Sequence, residues 1–167
     1  GAPTINSFTA TQTMNITPGD TIDLSWDVTG ADTITISDSN GQLTSSMMAT
    51  GTYTATVNQD ETYMLAATNA TGTTNAMVSV TVLDAPTIND FSASETDDLE
   101  VGQTIDLEWD VTGADMVTIS DSSGQIHSAT TATGTHTVTI SQAETYTLEA
   151  TNAVGSDTDT VTTTLRP

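Results

Sequence analysis

Few residue types in this chain are able to do acid–base or nucleophilic chemistry. Twenty-two aspartates and glutamates stand against one basic side chain, Arg166, giving a formal net charge of −21. There is no cysteine and no lysine, so thiolate nucleophiles, disulfides and Schiff bases have nothing to form them. His127 and His136 are the only histidines, and they alone carry side chains that ordinarily titrate near neutrality. No nucleophile elbow, glycine-rich phosphate loop, His-Glu-x-x-His run or EF-hand loop occurs. The expectation is no catalytic residue, no cofactor-binding residue and no enzymatic activity.

The carboxylates are the remaining chemical resource. Asp27, Asp32 and Asp38 recur as Asp110, Asp115 and Asp121, and Asp84 and Asp90 lie near mid-chain. Calcium takes six to eight oxygens from such groups and backbone carbonyls. Calcium is the ion these carboxylates raise, but solvated surface carboxylates are the expectation, with no cofactor and no metal site assigned. A second acidic group, Glu95, Asp97, Asp98 and Glu100, reads as a drifted surface strand. The four glutamines Gln42, Gln59, Gln125 and Gln142 leave a Thr–Gln ester cross-link formally open, without a specific signal. So acidic a surface repels phosphate, which argues against nucleic acid and anionic membranes as partners. No apolar run approaches the ~18 residues of a membrane-spanning helix.

The elements that position these residues come in two copies. Ala2-Pro3-Thr4-Ile5-Asn6 recurs as Ala85-Pro86-Thr87-Ile88-Asn89, and Trp26 recurs as Trp109, 83 residues on. Gly19, Gly51, Tyr63 and Gly72 return at the same offset as Gly102, Gly134, Tyr146 and Gly155, without a gap. An ungapped period of this length marks domain duplication, since solenoid repeats run to about 20–50 residues. The boundary falls after Asp84, giving domains 1–84 and 85–167.

Within each copy the hydrophobic pattern has period two. Ile22, Leu24, Trp26 and Val28 alternate with Thr21, Asp23, Ser25 and Asp27, and Ile34 and Ile36 alternate with Thr33, Thr35 and Ser37. Such alternation puts one face on a core and the other in water. Pro18-Gly19, Asp38-Ser39-Asn40-Gly41 and Asn69-Ala70-Thr71-Gly72 carry turn chemistry between the segments. About seven strands per copy are predicted, starting near Thr4, Thr21, Thr33, Gln42, Thr52, Glu61 and Thr73. The fold class is all-β, two tandem antiparallel β-sandwiches.

The stretch Glu61-Thr62-Tyr63-Met64-Leu65-Ala66-Ala67-Thr68-Asn69-Ala70-Thr71-Gly72 resembles strand F of immunoglobulin-like domains, whose pattern is Tyr-x-Cys-x-Ala-x-Asn-x-x-Gly. Leu65 and Leu148 stand where that cysteine would be, and Trp26 in Leu24-Ser25-Trp26 takes the place of the other. The tryptophan is also similar to that of fibronectin type III domains, and bacterial Ig-like repeats of surface and secreted proteins are the nearest resemblance. The resemblance implies that Trp and Leu fill the volume a disulfide would bridge. It implies a tyrosine corner at Tyr63 and Tyr146, with each hydroxyl bonded to backbone upstream. His136, replacing Tyr53, is expected at the top of a strand edge.

Fold of this kind specifies function poorly. The expected role is a stalk or spacer segment of an extracellular microbial surface protein, such as an adhesin, surface-layer or filament protein. Expected partners are other Ig-like repeats of the same parent and a cell-surface or matrix protein or glycan. The alternative is a carbohydrate- or protein-binding accessory module of a secreted enzyme; the 4% aromatic content disfavours sugar binding.

Overall fold

A computed structural model describes residues 1–167, with fourteen strands and no helix. The chain divides into two compact units, Gly1–Leu83 and Asp84–Pro167. The first contains β1 (Thr4–Ala10), β2 (Asp20–Thr29), β3 (Thr33–Asp38), β4 (Gly41–Ser46), β5 (Thr50–Val57), β6 (Glu61–Thr68) and β7 (Thr73–Val80). The second contains β8 (Thr87–Ala93), β9 (Thr104–Thr112), β10 (Met116–Asp121), β11 (Gly124–Ala129), β12 (Thr133–Thr139), β13 (Glu144–Thr151) and β14 (Ser156–Thr163). Unit 1 has a three-stranded sheet in the order β1-β2-β5 and a four-stranded sheet in the order β4-β3-β6-β7. Unit 2 repeats this as β8-β9-β12 and β11-β10-β13-β14. Neighbouring strands are antiparallel throughout.

Period-two alternation becomes two inner faces. On β2, Ile22, Leu24, Trp26 and Val28 are buried, and they share a core with Ile34, Ile36, Tyr63, Leu65 and Ala67 of the opposite sheet. The equivalent core of unit 2 holds Ile105, Leu107, Trp109, Val111, Val117, Ile119, Tyr146, Leu148 and Ala150. Trp26 and Leu65 thus fill the centre of the sandwich from opposite sheets, as the sequence predicts. Full burial of one such side chain contributes about 1.5–3 kcal/mol.

Room for the indole comes from a glycine. Gly51 on β5 lies directly opposite Trp26 on β2, and Phe8 on β1 is the partner on the other side. A Cβ at Gly51 would come within 2.3 Å of Trp26 Cζ2, and one at Gly134 within 2.2 Å of Trp109 Cζ2. The missing side chain lets the ring lie across the neighbouring strand. The indole N–H, which must find an acceptor when buried, donates to the Met48 carbonyl at 3.1 Å, and that of Trp109 to the Thr131 carbonyl at 3.3 Å.

Turns follow the sequence signals. Gly19 has φ 97° and Gly41 φ 125°, conformations that side chains rarely adopt. Asp38 pairs with Gly41, and the Asp38 carboxylate accepts the Asn40 N–H, closing the β3–β4 hairpin.

One segment differs from its prediction. The residues around Glu95, Asp97, Asp98 and Glu100 form the irregular β8–β9 connection, not a strand. Here the chain makes a single parallel bridge, Leu99 to Leu165, matched in unit 1 by Ile16 to Val82. Ile16 and Leu99 are almost wholly buried, so one apolar anchor pins each connection, and in unit 2 the acidic residues around it face water.

Candidate functional site

Two polar constellations recur in both units, and one occurs only in the second. The first centres on Asn69, which follows β6. Its side-chain amide donates to the carbonyls of Gly1 and Gly30, while its Oδ1 accepts the N–H groups of Thr71 and Gly72. One side chain thereby ties the amino-terminal segment, the β2–β3 turn and the β6–β7 turn together. Asn152 does the same, donating to the Asp84 and Gly113 carbonyls and accepting from Val154 and Gly155. The sequence places Asn69 in the strand F pattern and in a turn; that it joins three segments is not legible there, and its return at Asn152 is the available signal.

The second constellation is a polar depression around Glu61, lined by Asp38, Asn40, Gln59 and Tyr63. Unit 2 has a depression around Glu144, lined by Asp121, Ser122 and Gln142. Glu61 accepts the Ser39 N–H and hydroxyl, at 3.0 and 2.9 Å. Glu144 grips Ser122 likewise, with Gln142 donating to it as well. Burial alone would push the Glu61 carboxyl up, but the bonds from Ser39 and Thr62 hold it below the usual carboxylate value. Side-chain bonds from Gln142 and Ser122 do the same for Glu144. A carboxylate so engaged is a latch on the hairpin tip. Gln142 is spent on this latch and on Ser122.

The tyrosine corner is corrected here. Tyr63 and Tyr146 are buried, but neither hydroxyl bonds to upstream backbone, and no buried polar side-chain atom is left unpaired. Tyr63 instead lines the depression around Glu61. Burial, with the negative charges of Glu61 and Asp38, raises its pKa; burial, Glu144 and Asp121 raise that of Tyr146.

The aspartates singled out in the sequence are distributed around the sandwiches. Asp27 and Asp110 accept from Asn6 and Asn89, and Asp38 and Asp121 cap their own hairpins. No three histidine or acidic side chains converge as metal ligands. Arg166 lies among the acidic residues of the β8–β9 connection, pairing with Asp98 at 3.3 Å and with Glu100.

The constellation found only in unit 2 is the histidine pair. His127 on β11 and His136 on β12 come from opposite sheets and stack, with centroids 4.3 Å apart and planes at 18°. His127 also leans on Trp109, at 5.6 Å and 47°. Their counterparts in unit 1 are Thr44 and Tyr53. His136 therefore lies midway along an edge strand, facing inward, rather than at its top. Burial, and then the neighbouring His127, lower the pKa of His136. Stacked rings present their faces, not their nitrogens, to each other, which suits packing rather than proton transfer.

Each unit is an immunoglobulin-like β-sandwich. The I-band fragment I67–I69 of titin matches with a TM-score of 0.59 at 17% identity, over 99% of this chain and 66% of that one. A three-domain titin structure carrying E-to-A changes, also I67–I69, matches at 0.61 and 17%, over 98% and 65%. The fibronectin(III)-like modules of CbhA from Clostridium thermocellum match at 0.47 and 15%, over 98% and 94%. The chain spans slightly under two thirds of the two titin fragments. The likeness is one of fold. No family description matches the sequence, and no curated protein does.

Proposed function

We propose that this chain is a structural and interaction segment, a stalk or spacer, of an extracellular microbial surface protein such as an adhesin, surface-layer or filament protein. One observation carries the reading. The residues repeated between the copies are those that hold each sandwich: Trp26 over Gly51, Glu61 on Ser39, and Asn69 across three loops. These recurring polar interactions are devoted to the scaffold, and duplication repeats it. Extreme acidity suits a protein kept soluble in salt.

Ligand titration tests the structural reading against the accessory-module alternative. Soluble oligosaccharides should show no saturable binding to the whole chain. Calcium should raise the melting temperature no further than sodium at matched ionic strength. Saturable micromolar binding of a glycan, or a calcium effect well beyond the sodium control, would replace the spacer with a binding module.

A further inference from the structure

We infer that the edge strands β5 and β12 are pairing surfaces through which a second copy of this chain adds to the sheet. The inference concerns this chain's partner and holds wherever the parent protein resides.

Charge is withheld from these edges. In unit 1 the edge strands β1, β4, β5 and β7 contain no acidic residue. The interior strands carry the strand-borne charge: Asp20, Asp23 and Asp27 on β2, Asp38 on β3 and Glu61 on β6. In unit 2, β8 and β14 have acquired Asp90, Asp157 and Asp159, but β11 and β12 remain without acid. The two edge strands on one side of the sandwich therefore contain no acidic residue in either copy, in a chain with 22 acidic residues to place. Edge strands are commonly protected by charge, proline or a bulge. The β3–β4 and β10–β11 pairs do have register shifts, between Ile36 and Ser37 and between Ile119 and Ser120. The β2–β5 and β9–β12 ladders run without one, and β5 and β12 have no proline.

Their free backbone groups are identifiable. The Val28 N–H bonds the Ala49 carbonyl, which sets the parity of the ladder. Gly51, Tyr53 and Ala55 therefore pair with β2, and Thr50, Thr52, Thr54 and Thr56 turn their N–H and C=O groups outward. The bond from Val111 N–H to the Ala132 carbonyl sets the same parity for Thr133, Thr135, Thr137 and Thr139. All eight threonines are exposed.

Self-pairing is what such an edge fits. An antiparallel partner of identical sequence brings threonine near threonine, a favourable cross-strand pair, in a two-fold contact that closes on itself. The nearest strand-borne acids would then be on β2 or β9 of each copy, strands separated by three spacings of about 4.8 Å, or roughly 14 Å; of these, Asp23 and Asp106 lean toward the edge and accept the Thr54 and Thr137 hydroxyls at 2.6 Å. Each copy also has a strongly negative net charge, and a Debye length of about 8 Å in physiological salt screens this repulsion. Association should therefore strengthen as salt rises. A basic foreign strand held by charge would show the opposite dependence.

Sedimentation velocity on the whole chain, across a series of sodium chloride and protein concentrations, tests this. The weight-average mass should rise above the monomer as both increase. Thr52→Pro with Thr135→Pro removes outward N–H groups without touching the internal ladder. Thr52→Asp with Thr135→Asp puts like charges on the edge. Each pair should weaken association on the order of tenfold or more, with melting temperature unchanged. If the proline pair unfolds the protein, the aspartate pair decides. A wild-type chain that stays monomeric at every salt, or an aspartate variant that associates as wild type does, would overturn the inference. So would association that weakens with salt.

Discussion

The two units put different residues on the same frame at one seam. In unit 1 the inward positions of the adjoining edges hold Thr44 and Tyr53; in unit 2 they hold His127 and His136, stacked at 4.3 Å. The neighbouring indole and its glycine are the same in both. A second contrast lies in the connection between the first two strands. Unit 1 has Gln12, Met14, Asn15 and Thr17, whereas unit 2 has Glu95, Asp97, Asp98 and Glu100, with Arg166 among them. Both changes leave the buried anchor, Ile16 or Leu99, in place. The lesson is that the scaffold depends on a few cross-strand contacts, and positions one layer away from them are free to change chemistry.

The comparison breaks if the shared contacts matter little. Trp26→Ala should destabilise unit 1 by about 3–5 kcal/mol, and Trp109→Ala should do the same to unit 2. In calorimetry each substitution should shift one unfolding transition and spare the other. Asn69→Ala should come next, at about 1–3 kcal/mol for the backbone groups left unpaired, with Asn152→Ala equivalent. A clear inequality between the two copies at either pair would mean that the repeats do not share one frame.

Acidification sharpens the contrast at the seam. His136 has its pKa lowered from the ordinary 6.5, first by burial and then by His127. Its neutral form is favoured in the fold, so this contribution is whole above 6.5 and lost as pH falls through the lowered value. Unit 2 should therefore begin to lose stability in a range where unit 1 does not, and His127→Thr with His136→Tyr should remove the difference. Further down, Glu61 and Glu144 have pKa values below the ordinary 4.5, so their contribution is lost from both units as pH falls through those lower values. Thermal melts across this range read both windows. Equal responses of the two units near pH 6 would remove the histidine pair from the account. Arg166→Ala should have the smallest effect, since its partners are well exposed and surface pairs contribute little. Its melting temperature should match wild type at moderate salt.

Much of this was readable in the sequence because the signal was local. Period-two runs and glycine turns set the strands, and the predicted starts at Thr21, Gln42 and Thr52 fall within two residues of Asp20, Gly41 and Thr50. The motif around Tyr63 and Leu65 pointed to the sandwich. What stayed hidden depends on register and on packing between sheets. Gly51 is distant in sequence from Trp26, and only the ladder puts them opposite each other. His127 and His136 meet because β11 and β12 adjoin across two sheets, which no spacing rule gives. Ile16 and Leu99 lie in irregular segments where periodicity has no meaning. The tyrosine hydroxyls were misread because the family's corner was carried over whole. In this chain Tyr63 lines the polar depression around Glu61 instead.

The proposal that this duplicated scaffold is displayed outside the cell is tested most directly by labelling intact source cells with an antibody raised against this chain. The account predicts labelling of unpermeabilised cells, lost when they are treated with an external protease. Labelling that appears only after permeabilisation would contradict it.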